Sequence, residues 1–129
     1  GLGPLDEQLV ESGYFNFNGA LDCADKLLTL SDRPTAIFAA NDEMAAAVVM
    51  TANRLRLRVP EDLSVAGFDN APISETIWPE LTTIAQPFSL IAKEAVRLCD
   101  STNASSDGLS SIRVIQHKLI IRDSTGPAR

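Results

Sequence analysis

Asn41 and Asp69 each stand at the end of a short apolar run, residues 36–40 (Ala-Ile-Phe-Ala-Ala) and 63–68 (Leu-Ser-Val-Ala-Gly-Phe), with a helical stretch between the two runs. Asn offers a donor and an acceptor, and ionised Asp offers acceptors only, a pair suited to the hydroxyl groups of a polar ligand. The same residue types are favoured at such turns for local reasons, Asn easing the step from strand to helix and Asp capping the next element. On pattern alone the two readings stand level. Catalysis is poorly served. The single histidine, His117, falls in a β-type run, and the adjacent carboxylates Glu61-Asp62 and Asp42-Glu43 suit a solvated turn and a helix start. No nucleophile and base can be placed together, and the scattered glycines make no phosphate-cradling loop. Cys23 and Cys99 fall in helical patterns with no CxxC pair or Cys/His cluster, so they read as buried free thiols. Neither a catalytic site, a metal nor a cofactor is expected.

The elements that must position Asn41 and Asp69 follow from periodicity. From 18 to 30 the apolar residues Ala20, Leu21, Ala24, Leu27 and Leu28 recur at helical spacing, with Asn18 as the expected N-cap. A short strand is expected around Leu9 and Val10. The run 36–40 suits a strand covered on both faces, which points to a parallel sheet. A helix from Asp42 or Glu43 to about Leu57 follows, and its middle, residues 44–50 (Met-Ala-Ala-Ala-Val-Val-Met), is apolar all round. A helix lying on one face of a sheet should show polar residues outside, so something further must bury its second face. Strand, helix and strand over this span make a βαβ unit, whose crossover brings both strand ends to one edge of the sheet. In an open parallel sheet that edge is where ligands bind. A short helix or loop at 73–80 carries Trp78-Pro79, a third strand is expected at 81–85, and a helix from about Pro87 to Cys99 should bury Ile91, Ala95, Leu98 and Cys99. Residues 100–111, rich in Ser, Asn, Asp and Gly, read as a loop before the β-type run 112–122.

With 129 residues, 45% of them apolar, the chain can form one α/β unit with its own core. The net charge of −6 opposes contact with phosphates, so this segment should not bind DNA by itself. No run approaches the ~20 apolar residues of a membrane span, and a soluble cytoplasmic protein is expected.

Residues 39–45 (Ala-Ala-Asn-Asp-Glu-Met-Ala), 59–70 (Val-Pro-Glu-Asp-Leu-Ser-Val-Ala-Gly-Phe-Asp-Asn), 79–84 (Pro-Glu-Leu-Thr-Thr-Ile) with Gln86-Pro87, and 119–125 with Arg122 and Ser124-Thr125 resemble, in that order, the effector-binding domain of the lactose/galactose repressor family of bacterial transcription regulators. The resemblance spans essentially the whole chain. It implies an α/β fold of the periplasmic-binding-protein-like kind, here an incomplete, parallel-sheet three-layer lobe: residues 1–129 would be the C-terminal portion of the effector-binding and dimerisation domain, with about 84–111 crossing to the N-terminal lobe and the DNA-binding domain absent. It further implies a sugar-like or nucleoside effector contacted by Asn41, Asp69, Gln86 and Phe88, with Tyr14, or Phe15 one register away, stacking on it. A homodimer would form through Met44, Ala47, Val48, Trp78 and Leu81, and DNA would be reached only through the domain outside this chain. A periplasmic sugar receptor of a transporter is the alternative, since such proteins share the Asn-Asp-Glu-Met signature.

Overall fold

The computed structural model of the chain describes residues 6–101 and 112–128. Most of the expected loop at 100–111 therefore lies outside the described residues. A 3-10 turn, Glu7–Leu9, stands where a strand was expected, with Val10 extended behind it. Helix α1 (Phe17–Leu28) begins two residues earlier than its pattern suggested, because the side chain of Asn16, not of Asn18, accepts from Gly19 N at 2.9 Å. This is an ordinary N-cap geometry.

Strand β1 (Ala36–Phe38) pairs in parallel with β2 (Ser64–Ala66), joined by helix α2 (Asp42–Arg54). The crossover is the βαβ unit that the sequence pattern predicts. Beyond the short helix α3 (Ile73–Thr76), β3 (Thr83–Ala85) runs parallel to β2 through Gly67 N to Thr82 O and Asp69 N to Ile84 O, both 2.9 Å. Helix α4 (Phe88–Ser101) follows, and β4 (Lys118–Ile120), much shorter than the β-type run, closes antiparallel on β3. The result is an α/β fragment with a parallel sheet and an antiparallel edge.

The all-round apolar middle of α2 is buried inside the chain. Ala45, Ala46, Ala47, Val48 and Val49 are all inaccessible, because α2 packs against α1 as well as against β2 and α3. Small side chains let the two helices approach closely, and Ala20, Ala24, Leu27 and Leu28 of α1 supply the opposing surface. Leu63, Val65 and Leu81 complete the core under them. Residues 45–49 of α2 are thus covered within the chain, while Met50 at the end of the run is 50% exposed.

Two expectations of burial are not met. Phe38 is 65% exposed and Ala36 is exposed as well, so β1 is not covered on both faces and a three-layer arrangement is not complete among the described residues. On α4 the expected inner stripe is largely open, with Ile91, Ala95 and Cys99 exposed and only Leu98 half-buried. Amphipathic periodicity shows that a face is apolar; burial needs a partner element across from it.

Candidate functional site

Asn41 and Asp69 stand at matching places on the sheet edge. Phe38 and Ala66 are register partners in the parallel pair, and each candidate lies three residues beyond its strand's partner residue. Asn41 is only 7% exposed. Its Oδ1 accepts from Met44 N at 2.8 Å as the N-cap of α2, and its Nδ2 donates to Phe15 O at 3.4 Å. Asn41 thus serves the step from strand to helix as a local cap, and its amide also holds the aromatic turn at Phe15.

That turn holds Tyr14 and Phe15 at φ of 51° and 59°, the left-handed region that a non-glycine residue seldom adopts. Gly13 O accepts from Asn16 N at 3.2 Å, closing the turn. Gly19 must be glycine here, since a Cβ would come within 2.4 Å of Gly13 O. Both rings are left in solvent, Tyr14 at 83% and Phe15 at 64% exposure. Exposed rings held by a strained, anchored backbone cost stability without adding core, the pattern expected where contact is reserved for something outside the chain.

On the second strand end, Asp69 and Asn70 are left-handed in succession, with φ of 106° and 55°. Several parts of the chain hold them there. Asp69 Oδ1 accepts from Gln86 Nε2 at 2.7 Å, Asn70 N donates to Thr83 Oγ1 at 3.3 Å, and Asn70 Oδ1 accepts from Arg122 Nη2 at 2.8 Å. Phe88, two residues beyond Gln86, is exposed at the start of α4 and donates its N–H to Gln86 O. The candidates thus fall into two hydrogen-bonded groups, Tyr14, Phe15 and Asn41 on the β1 side, and Asp69, Gln86 and Phe88 on the β2 and β3 side.

Asp42 joins the two sides, a role its place in the sequence does not reveal. Its carboxylate is buried and accepts from Thr83 Oγ1 at 2.6 Å and from Ala71 N at 2.7 Å. An acid at the first position of a helix reads as a dipole partner facing water. Here it is a strut from the start of α2 to the loop after β2. Room for it comes from Gly67, where a Cβ would sit 2.3 Å from Asp42 Oδ1. Arg122 is a second brace. Its guanidinium donates to Ser74 Oγ, Leu81 O, Asn70 Oδ1 and Glu75 Oε1, binding the C-terminal segment to the turn that carries Asp69. Ser124 is fully buried, donating to Val65 O and accepting from Thr82 N.

The dimer candidates separate. Ala47, Val48 and Leu81 are buried within the chain and present no surface to a second copy, because α1 and the core already cover them. Met44 is half-buried, its side chain beside Gly13. Trp78 is 78% exposed and Met50 is also open, so of the five residues Trp78 alone is freely presented. His117 is exposed, and no group of metal-binding side chains occurs among the described residues. Nor does any helix among them have the length and apolarity to cross a membrane.

Chemically, the rim offers carboxylate and amide groups and aromatic faces, which fits hydrogen bonding and stacking with an uncharged polar molecule. Residues 5–125 match the family described as "Periplasmic binding protein-like domain". The chain is 40% identical over 121 residues to the HTH-type transcriptional repressor CytR of Escherichia coli (strain K12), a match that takes in 94% of this chain and 36% of the repressor. Among solved structures, a complex of the transcriptional regulator CelR with cellobiose superposes with a TM-score of 0.83 at 30% identity, covering 93% of this chain and 37% of that one. A LacI family transcriptional regulator from Enterococcus faecium with bound ribose gives a TM-score of 0.72 at 33% identity, covering 89% and 42%. The chain spans little more than a third of the curated relatives it matches.

Proposed function

As this chain belongs to the periplasmic binding protein-like domain family, we propose that it is the C-terminal part, residues 1–129, of the effector-binding domain of a bacterial transcriptional repressor working in the cytoplasm. Residues from about 84 to 111 would cross toward the other lobe. In this reading the chain performs no chemistry. It supplies one wall of a cleft that closes on a sugar-like effector, and closure biases the arrangement of a dimer whose DNA-binding domain lies outside these residues. The observation that carries the reading is the Asp69 turn: two consecutive left-handed residues at a strand end, held by Gln86, Thr83 and Arg122, on the sheet edge that also carries Asn41, whose amide holds the aromatic turn of Tyr14 and Phe15.

Each candidate then has a role. Asp69 accepts from effector hydroxyls, Gln86 holds that carboxylate and lines the cleft, Asn41 fixes the rim of α2, and Tyr14, Phe15 and Phe88 offer apolar ring faces. Trp78, which is exposed, is the residue of choice for dimer contact. The relatives named above are transcriptional regulators, which favours the repressor over a transport receptor. The acidic balance of the chain agrees with DNA being reached by another domain.

Calorimetry on the full-length protein with cellobiose and with ribose, the ligands of the two structural neighbours, tests the proposal. A sugar that binds the wild type should lose at least ~100-fold in affinity with Asp69→Ala, the scale of a lost hydrogen bond to a charged group, about 1.5–3 kcal/mol, plus the disturbed turn. Equal affinity for wild type and variant would remove Asp69 from the site.

A further inference from the structure

One side chain holds both the turn of Asp69 and the segment that presents Trp78. Arg122 Nη2 donates to Asn70 Oδ1 at 2.8 Å, next to Asp69, and to Glu75 Oε1 at 2.7 Å, in α3. Nη1 donates to Leu81 O at 2.8 Å and to Ser74 Oγ at 3.2 Å, and Nε lies 3.7 Å from Glu80 Oε2. Every donor of the planar fork is thus directed to the turn or to the loop 75–80. That loop is closed at its base by Leu81 N to Ser74 O at 2.8 Å, and Trp78 stands exposed within it. Arg122 itself is anchored. Its N–H donates to Thr82 Oγ1 at 3.0 Å, the same hydroxyl donates to Arg122 O at 3.2 Å, and its side chain is only 11% exposed.

We propose that Arg122 is a positioning residue that makes the placement of the Asp69 turn and of the Trp78 loop interdependent. The bonds to Asn70 and Glu75 leave the same nitrogen of a rigid plane, so the fork cannot follow one partner and keep its geometry to the other. Asp69 and Asn70 are held at φ of 106° and 55°, a backbone that relaxes unless its surroundings over-determine it. The turn is therefore the side poised to move. When it moves, a charged donor in a nearly enclosed site loses its acceptor, which is costly, or the guanidinium moves too and disturbs Glu75, Ser74 and Leu81. In both cases the loop registers the state of the turn. The regulatory meaning rests on the function proposed above, in which Asp69 meets the effector and Trp78 meets a second subunit: Arg122 is then the contact through which closure at one reaches the other.

Amide hydrogen exchange of the full-length protein tests the coupling in four proteins: wild type, Asn70→Ala, Arg122→Lys and the two combined. Asn70→Ala cuts the bond at the turn alone, yet exchange should quicken roughly tenfold over 69–71 and at least about threefold over 75–81. Arg122→Lys keeps the charge and loses the fork, so adding Asn70→Ala to it should leave 75–81 unchanged, the link being already broken. Residues 45–49 in the core of α2 measure global opening and should exchange alike in wild type and Asn70→Ala. A quickening confined to 69–71, or one of equal size over 75–81 in both backgrounds, overturns the proposal. If Asn70→Ala loosens α2 as well, Glu75→Ala decides from the other end, since Glu75 is exposed. It should quicken 69–71 about threefold with Arg122 in place and not with Arg122→Lys, and no quickening at all overturns the proposal. Exchange needs neither sugar nor dimer, so a failed coupling is distinguished from a failed effector site, which calorimetry reads.

Discussion

Thr83 Oγ1 donates a 2.6 Å hydrogen bond to Asp42 Oδ1, and both residues are buried. The bond ties β3 to the first turn of α2, and the other carboxylate oxygen holds Ala71 N. Through it the two strand ends that carry Asn41 and Asp69 become one rigid rim. Asp42→Ala should therefore cost about 2–3 kcal/mol in urea unfolding, the range for losing hydrogen bonds to a charged group and stranding their donors. Thr83→Val should cost less, and the double variant should cost less than the sum, since the two act through one bond. Strict additivity would show that they do not.

Gly67 is needed for what surrounds it. A Cβ there would meet Asp42 Oδ1 at 2.3 Å and Ala45 Cβ at 3.2 Å. Gly67→Ala should destabilise the fold by roughly 1–3 kcal/mol through overpacking. Combined with Asp42→Ala, which removes the nearest atom, the added cost of the methyl group should shrink. A thermal unfolding series on the four proteins would decide it.

Arg122 is expected to stabilise through the number of its partners rather than through charge alone. Its side chain reaches Ser74, Leu81 O, Asn70 and Glu75. Arg122→Lys keeps the charge but loses the planar fork, so it should destabilise nearly as much as Arg122→Met, by about 2 kcal/mol or more. If lysine restored full stability, the geometry of the fork would be irrelevant. Hydrogen exchange at Asn70 and Ala71 should also quicken in both variants.

The Cys23 thiol gives a pH signature. Burial pushes its pKa above the ordinary thiol value, with Glu11 adding to the shift. The folded protein thus favours the neutral thiol. That contribution is fully present below the unfolded thiol pKa of about 8.5 and is lost as the pH rises through the higher folded value. Wild-type stability should fall across that alkaline window more than the stability of Cys23→Ser. Cys23, half-buried, should also label more slowly with iodoacetamide than the exposed Cys99. Identical alkaline slopes for the two proteins would show that the Cys23 shift is not felt in folding.

A rim contact, not the middle of α2, is expected to govern association. Trp78 is open while Ala47, Val48 and Leu81 are enclosed. Sedimentation of the full-length protein should show Trp78→Ala weakening the dimer, and Ala47→Ser leaving the association constant unchanged once folding is accounted for. A dimer indifferent to Trp78→Ala would place the interface elsewhere.

The residue pattern by itself determined a good deal. Apolar runs of strand length at 36–40 and 63–68, with a long apolar helix between, leave a parallel crossover as the economical fold. That crossover places Asn41 and Asp69 on one edge without further information.

Only the tertiary structure decided how those residues are used. Asn41 is an N-cap because Met44 N lies within its reach, Asp42 is buried because Gly67 leaves it room, and the middle of α2 is buried because α1 packs on it. The stripe of α4 and one face of β1 are largely exposed among the described residues. Periodicity is a local property and reports which face is apolar. Burial and pairing depend on what the rest of the chain brings to that face, and contacts such as Asp42 with Thr83, far apart in sequence, leave no mark on the pattern around either residue.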